Sequence, residues 1–318
     1  SYLPMVCEGN NSANKLMTMG LVGFVYGAGT SEDTVSQLTD LTNYGALKAD
    51  PGAANANGFT STQVGGIAGF SNTSRTSTFA NRFLRCINHG DMTVSTGRAS
   101  GIVAAANTFT HIVECENYGD MMNTYAGSKG GRLGNITCNM GTGSSMSGCT
   151  NYGNLTSTTG ARCGGITSMS NTATFENCAN YGTILTDSPY RGVFWGYNNA
   201  VAQWTDCTAG GKVGTYNANA PVFDSYADAE QANYLGKQGA NQSALTNIAY
   251  QIGNSGGGSA GGDAELRILF IGNSFTKDAV EHLPGILKAM GIDKVKMTHM
   301  YYGLSLIHIS EPTRRTPI

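Results

Sequence analysis

The sequence predicts a mainly β protein, a repeat β-solenoid that is most simply a parallel β-helix, followed by the start of an α/β domain. A pentapeptide of the form Cys-x-Asn-Tyr/His-Gly recurs at a short period, and apolar residues keep one register around every copy. A Gly/Ser-rich linker then separates the repeats from a strand-turn-helix pattern near the C-terminus. With 318 residues, the chain is long enough for two domains of ordinary size.

The repeat is carried by CINHG at 86, CENYG at 115, CTNYG at 149 and CANYG at 178, with LTNYG at 41 as a variant. Apolar residues lie three positions before the start of each unit and six positions after it. One unit this short, with no helical periodicity, cannot bury its apolar side chains, whereas stacked units share a continuous core. We therefore expect residues 1–215 to form a solenoid with asparagine ladders, and the glycine of each unit to take a positive φ.

The cysteines follow the same register. Of the eight cysteines, five occupy the first position of a unit, namely Cys86, Cys115, Cys149, Cys178 and Cys207. We expect Cys7 to join them, whereas Cys138 and Cys163 lie off this register and are either free or paired. A disulfide framework or a set of metal ligands is one interpretation. We favour a buried column of small apolar side chains, because no CxxC pair or Cys/His cluster has ligand spacing, and we predict no metal.

Four tyrosines also share one position of the repeat, namely Tyr44, Tyr118, Tyr152 and Tyr181. An exposed aromatic stripe at this position would suit stacking against sugars, which makes these residues weak candidates for a binding site. The alternative, which we favour, is a structural ladder of tyrosines at a turn.

Charge is sparse, at 13% charged residues and a formal net charge of −2, so no basic stripe is expected and nucleic acid is not a predicted partner. No run of 18 apolar residues exists to predict a transmembrane segment. A catalytic groove in the solenoid itself would need clustered acids or bases. The repeats contain few of these, namely Asp91, Glu114, Glu116, Asp120, Lys129 and Arg132.

The repeat pattern stops near residue 215. We expect residues 216–252 to form a cap or connector, with a helix over 224–238, because a bare solenoid end would expose core and strand edges. Residues 253–262, GNSGGGSAGG, have the composition of a flexible linker.

After the linker, residues 263–303 begin a second domain. The apolar run Ile268 to Ile271 predicts a buried parallel strand that ends at Gly272-Asn273-Ser274. Helical spacing of apolar residues follows, and Val295 and Met297 suggest a second strand. This β-α-β opening places Ser274 at the carboxyl end of a strand, where α/β folds place their active sites.

Residues 266–303 resemble the first block of the SGNH (GDSL-like) hydrolases, which have a flavodoxin-like α/β fold. The resemblance implies that Gly272, Asn273 and Ser274 form the motif and that Ser274 is the nucleophile. Its backbone N–H would contribute to an oxyanion hole completed by later blocks, and a late histidine would activate its hydroxyl. It also implies ester hydrolysis on an acylated carbohydrate, without a cofactor.

The repeats resemble β-solenoids of bacterial cell-surface and secreted proteins, which implies an extracellular or cell-envelope location. The chain starts without methionine, and we expect that a signal peptide is missing from this fragment. Residues 304–314, LSLIHISEPTR, resemble a translated sequencing adapter, so we expect 304–318 to be artefactual. We predict an inactive fragment of a serine hydrolase carried on a solenoid. The alternative is an adhesin or glycan-binding solenoid without catalysis.

Overall fold

A computed structural model describes residues 5–8, 17–27, 36–50, 62–73, 80–95, 97–124, 131–158, 161–198, 200–216, 222–223, 234–239, 243–250, 266–272 and 295–301. The described elements are all β-strands. The chain divides into two compact units, Ser1–Gly256 and Gly257–Ile318.

The first unit contains five stacked sheets. A complete turn of the chain (a rung) adds one strand to each sheet in the order I, II, III, IV, V, and the last described turns add strands to only some of them. The mainly parallel pairing agrees with the predicted parallel β-solenoid, in which successive rungs lie about 4.8 Å apart. Sheet I contains Gln37–Thr39, Asn81–Leu84, Thr110–Val113, Ser145–Ser147, Thr174–Glu176, Gln203–Thr205 and Ala244–Thr246. Sheet II contains Thr42–Asn43, Ile87–Asn88, Glu116–Asn117, Thr150–Asn151, Ala179–Asn180, Thr208–Ala209 and Ala249–Tyr250.

The other three sheets complete each rung. Sheet III contains Met5–Glu8, Leu47–Asp50, Met92–Val94, Met121–Asn123, Leu155–Ser157, Ile184–Thr186 and Val213–Gly214, and an antiparallel strand Val222–Phe223 ends it. Sheet IV contains Met17–Met19, Thr62–Gly65, Arg98–Ser100, Arg132–Gly134, Arg162–Gly164 and Arg191–Gly192. Sheet V contains Val22–Gly27, Ala68–Thr73, Val103–Ala106, Thr137–Met140 and Thr167–Ser170. Tyr197–Asn198 pairs separately with Lys237–Gln238.

The core follows the predicted apolar register. Residues three positions before each unit pair in sheet I, and those six positions after its start pair in sheet III. At one end of the core Phe175 stacks on Trp204 with ring centroids 3.8 Å apart, and Phe194 lies 4.9 Å from Trp204. Like side chains therefore lie above one another along the solenoid, as in-register parallel pairing requires.

The predicted asparagine ladder is present in sheet II, and we call Asn43, Asn88, Asn117, Asn151 and Asn180 the asparagine column. Except in Asn180, the last member, each Nδ2 donates to the Oδ1 of the next asparagine, at 2.6–2.8 Å. Each Nδ2 also donates to the carbonyl oxygen two residues ahead, at 2.8–3.1 Å. The column is buried, so these bonds satisfy amides that would otherwise be costly.

The prediction of a positive φ at the glycine of each unit is wrong. The glycines with positive φ among the described residues lie elsewhere. Gly119 is required for space, because a Cβ there would overlap the carbonyl oxygen of Gly90 in the previous rung. The positive φ instead falls on the residue just before the cysteine position, where Asp40, Arg85, Glu114, Asn177, Asp206 and Asn247 have φ of 49–56°. This residue turns the chain from sheet I into sheet II.

The cysteine column is confirmed for Cys86, Cys115, Cys149, Cys178 and Cys207, which are free and buried. Cys138 and Cys163 are also free and buried, and burial raises the pKa of both thiols to about 12. The placement of Cys7 in this column is wrong. Its strand pairs with sheet III, where Cys7 lies opposite Ala49, because backbone register and not local sequence similarity sets its neighbours.

The stack of strands continues past residue 215. Residues 224–233 lie outside the described residues, but the end of the predicted helix 224–238 is a strand, Lys237–Gln238. Tyr234 and Leu235 are buried in the core, and Ala244–Thr246 and Ala249–Tyr250 add a further rung to sheets I and II. Apolar burial and backbone pairing therefore outweigh helical propensity in this segment.

The second unit contains two described strands, Leu266–Gly272 and Val295–Tyr301, which pair in parallel over their full length.

Candidate functional site

The predicted nucleophile motif begins at the end of a strand. Gly272 is the last residue of Leu266–Gly272 and pairs with Tyr301. Asn273 and Ser274 lie just outside the described residues. His299 belongs to the partner strand, opposite Phe270. The backbone thus places the position after Gly272 at the carboxyl end of a parallel pair.

The tyrosine positions form a continuous stack of rings on the surface of the solenoid, which we call the aromatic column. It contains Tyr44, His89, Tyr118, Tyr152 and Tyr181, with neighbouring ring centroids 4.7–5.5 Å apart and planes within 8–19°. Three of the tyrosines have more than a third of their surface exposed. The rings cover one another's faces, so the column presents edges and hydroxyl groups to solvent. This geometry is that of a structural ladder, and ring faces for sugar stacking are not free within it.

One hydroxyl of the aromatic column has an acidic partner. The Tyr118 hydroxyl donates to Oε2 of Glu116 at 2.7 Å. Partial burial, followed by this bond and the charge of Glu116, raises the pKa of Tyr118 to about 12.

A polar column runs beside the aromatic column, two residues further along the chain. Oδ1 of Asp91 accepts from the N–H of Asp120 at 2.9 Å, and Oδ1 of Asp120 accepts from the N–H of Asn154 at 2.7 Å. Oδ1 of Asn154 accepts from the N–H of Thr183 at 3.0 Å. These residues line a shallow groove of about 230 Å³ with Met122 and Thr156. Each side chain thus ties one rung to the next, and Nδ2 of Asn154 also donates to Oδ1 of Asp120 at 3.1 Å.

Of the acidic residues weighed for catalysis in the solenoid, Asp91 and Asp120 line the same groove, and Glu114 and Glu116 are not among its lining residues. Glu114 lies in the turn before Cys115 with φ 51°, whereas Glu116 is engaged with Tyr118. Within the described residues, no group of three or more His, Cys, Asp or Glu side chains could hold a metal ion.

Sequence reasoning missed a column of arginines in sheet IV. Arg98, Arg132 and Arg162 pair in register on three successive rungs, and we call them the arginine column. The signal was present, since each arginine lies two residues before the Gly/Ser of the mid-repeat turn, at Ser100, Gly134 and Gly164. The alternate residues Ala99, Leu133 and Cys163 point into the core, so the arginines point outward.

Comparisons with family models, with curated proteins and with solved structures found no match for this chain. A search of the described residues found no helix with the length and apolarity needed to cross a membrane.

Proposed function

We propose that the chain is part of a secreted or cell-surface SGNH-type serine hydrolase, carried on a β-solenoid, that removes acyl groups from a carbohydrate. One observation carries the proposal. Leu266–Gly272 and Val295–Tyr301 pair in parallel, as the two strands of a β-α-β opening do, and Ser274 comes two residues after the first strand in the sequence. Open α/β sheets bind ligands at this edge.

The proposed chemistry starts at Ser274. Its Oγ attacks the carbonyl carbon of the ester while a histidine from a later block takes the hydroxyl proton. The backbone N–H of Ser274 helps to stabilise the oxyanion. The bond from carbon to the sugar oxygen breaks, and the histidine returns the proton to that oxygen. Water then hydrolyses the acyl-enzyme by the same route, which releases the carboxylic acid and restores Ser274.

The test compares two serines that occur in the same Gly-Asn-Ser tripeptide, Ser274 and Ser255 of the linker. A chain extended past Gly303 with the native gene sequence is assayed for hydrolysis of p-nitrophenyl acetate and acetylated xylan. We expect Ser274→Ala to lower kcat/KM by roughly 10³-fold or more and Ser255→Ala to leave it unchanged. The 318-residue chain should release no product above background. Full activity of Ser274→Ala, or no ester hydrolysis by the folded extended chain, would contradict the proposal.

A second candidate function is an adhesin or glycan-binding solenoid without catalysis. The regular outer face favours it, because the aromatic column and the neighbouring Asp91, Asp120 and Asn154 repeat the same polar groups on successive rungs. A repeating surface suits a repeating ligand. Binding to a glycan array by an extended chain that hydrolyses no ester would favour this function over the first.

A further inference from the structure

Tyr118 and Tyr152 are stacked neighbours in the aromatic column. Their ring centroids lie 4.7 Å apart with planes 12° from parallel, and both residues are exposed. The centroid distance matches the rung spacing of about 4.8 Å, as expected for two rings related by translation along the solenoid. The Cε atoms, which lie beside the carbon that carries the hydroxyl, are therefore close to their counterparts on the next rung.

The Tyr118 hydroxyl also has a proton acceptor in place. It donates to Oε2 of Glu116 at 2.7 Å. A phenol that loses an electron becomes a strong acid, so a carboxylate already in hydrogen-bond contact receives the proton without a rearrangement. Tyr152 is exposed, so water takes its proton. The pair thus combines two adjacent phenols with a base beside one of them.

The other pairs of the aromatic column are less suited to forming a bond between rings. His89 lies between Tyr44 and Tyr118, with its centroid 4.8 Å from each, so Tyr44 stacks on an imidazole in this column. Tyr152 and Tyr181 are 5.5 Å apart with planes 19° from parallel, and Tyr181 is less exposed. The geometry therefore favours the pair of Tyr118 and Tyr152.

A covalent bond between these rings would join two rungs that the described contacts hold only by packing and hydrogen bonds. The seven described cysteines are free, so they supply no such link. The two tyrosines are 34 positions apart in the chain. Cross-linking residues so far apart restricts the unfolded chain and stabilises the folded one, as a disulfide does.

We propose that Tyr118 and Tyr152 form an oxidative cross-linking site, at which a haem peroxidase and hydrogen peroxide join the two rings as dityrosine. Each phenol loses one electron and one proton, and the proton of Tyr118 passes to Glu116. The two phenoxyl radicals form a bond between their Cε atoms, and the hydrogens on those carbons move to the phenolic oxygens. Hydrogen peroxide takes up the two electrons and two protons and becomes two molecules of water.

The step requires only local motion. Exposed side chains rotate rapidly in the folded state, so thermal motion brings the two Cε atoms together without separating the strands. Holding the two rings side by side also raises their effective concentration far above that of phenols on separate chains. The proposal concerns the solenoid alone and does not depend on Ser274.

The test treats the 318-residue chain with a plant haem peroxidase and hydrogen peroxide. Size-exclusion chromatography under denaturing conditions then isolates the monomer, which removes links between chains. We expect dityrosine fluorescence and a tryptic product in which residues 99–129 are joined to residues 133–162. Tyr118→Phe and Tyr152→Phe keep the ring stack, and each should abolish this product. Glu116→Gln should slow its formation roughly tenfold or more, because an amide is a much weaker base than a carboxylate.

Tyr44→Phe is the matched control, because Tyr44 is exposed in the same column but stacks on His89. It should leave the joined product unchanged, and circular dichroism verifies that each variant is folded. Tyr125 lies in the same tryptic peptide as Tyr118, so a joined product that persists in Tyr118→Phe would overturn the assignment. Absence of the product from the folded monomer, an equal loss in Tyr44→Phe, or an equal rate in urea-unfolded chain would overturn it as well.

Discussion

Asparagines in sheet II and arginines in sheet IV form two columns of identical polar side chains along this solenoid. Both arise from the same in-register stacking. The asparagines are fully buried and bonded from rung to rung at 2.6–2.8 Å, whereas the arginines are half-buried, and Nε of Arg98 has no partner among the described residues.

The difference follows from what each group can donate and accept. An amide has both donors and an acceptor, so a stack of amides satisfies itself except at its ends. A guanidinium group has donors only, so a stack of them needs an acceptor from elsewhere. A solenoid therefore turns a self-complementary side chain into a continuous hydrogen-bonded ladder, whereas a non-complementary side chain depends on groups outside its own column.

We expect the largest effect from a substitution that stops the asparagine side chains from hydrogen-bonding to one another. Asn117→Asp replaces a donor with a buried negative charge beside Asn88 and Asn151. We expect the free energy of unfolding to fall by roughly 3–5 kcal/mol near neutral pH, the usual cost of an uncompensated buried charge. The loss should shrink near about pH 4, because the carboxyl then gains a proton and can donate again. Urea denaturation at both pH values measures it.

Two comparisons make this result specific. Asn117→Ala removes the amide without adding charge and should cost about 1–3 kcal/mol. Asn139→Ala changes a half-buried asparagine in sheet V and should stay within about 0.5 kcal/mol. Equal stability of Asn117→Asp and the unaltered chain would show that the ladder is not required.

A substitution in the arginine column should have a smaller effect on stability. Arg98→Gln removes one charge from the arginine column, so we expect the free energy of unfolding to change by no more than about 0.5 kcal/mol. Thermal unfolding followed by circular dichroism measures the stability. A loss as large as that of Asn117→Asp would mean that the arginine column has a structural role like that of the asparagines.

The smallest expected effect concerns the aromatic column at high pH. The pKa of Tyr118 is raised from 10.0 to about 12, so the folded state keeps its proton longer than the unfolded chain. This contribution to stability is therefore present below pH 10 and is lost as the pH rises through about 12.

Ultraviolet absorbance titration tests this prediction. Tyr118→Phe should remove one late-titrating phenol, and Glu116→Gln should lower the pKa of Tyr118 only part of the way, because burial is the larger cause. A titration curve unchanged in Tyr118→Phe would refute the assignment.

Sequence reasoning reached the parallel repeat, the apolar register and the asparagine ladder because these depend on spacing alone. It misplaced Cys7, since the fragment CEGNN resembles the repeat locally but pairs with Ala49. It assigned the positive φ to the glycine of each unit. That glycine is needed for the close approach between rungs, and sequence alone does not distinguish this requirement from a left-handed turn, which also favours glycine. It missed the arginine column because a net charge of −2 does not show where the positive charges lie.

By itself, the sequence determined which side chains repeat and at what period, because periodicity in a chain is independent of its folding. The motif Gly272-Asn273-Ser274 is likewise visible in the sequence, and its catalytic role stays a prediction. Only the tertiary structure decided which repeats stack in register, which rings cover one another, and that three arginines share one face. These contacts depend on the distances between rungs. Backbone hydrogen bonds set those distances when they bring together residues about 30 positions apart in the chain.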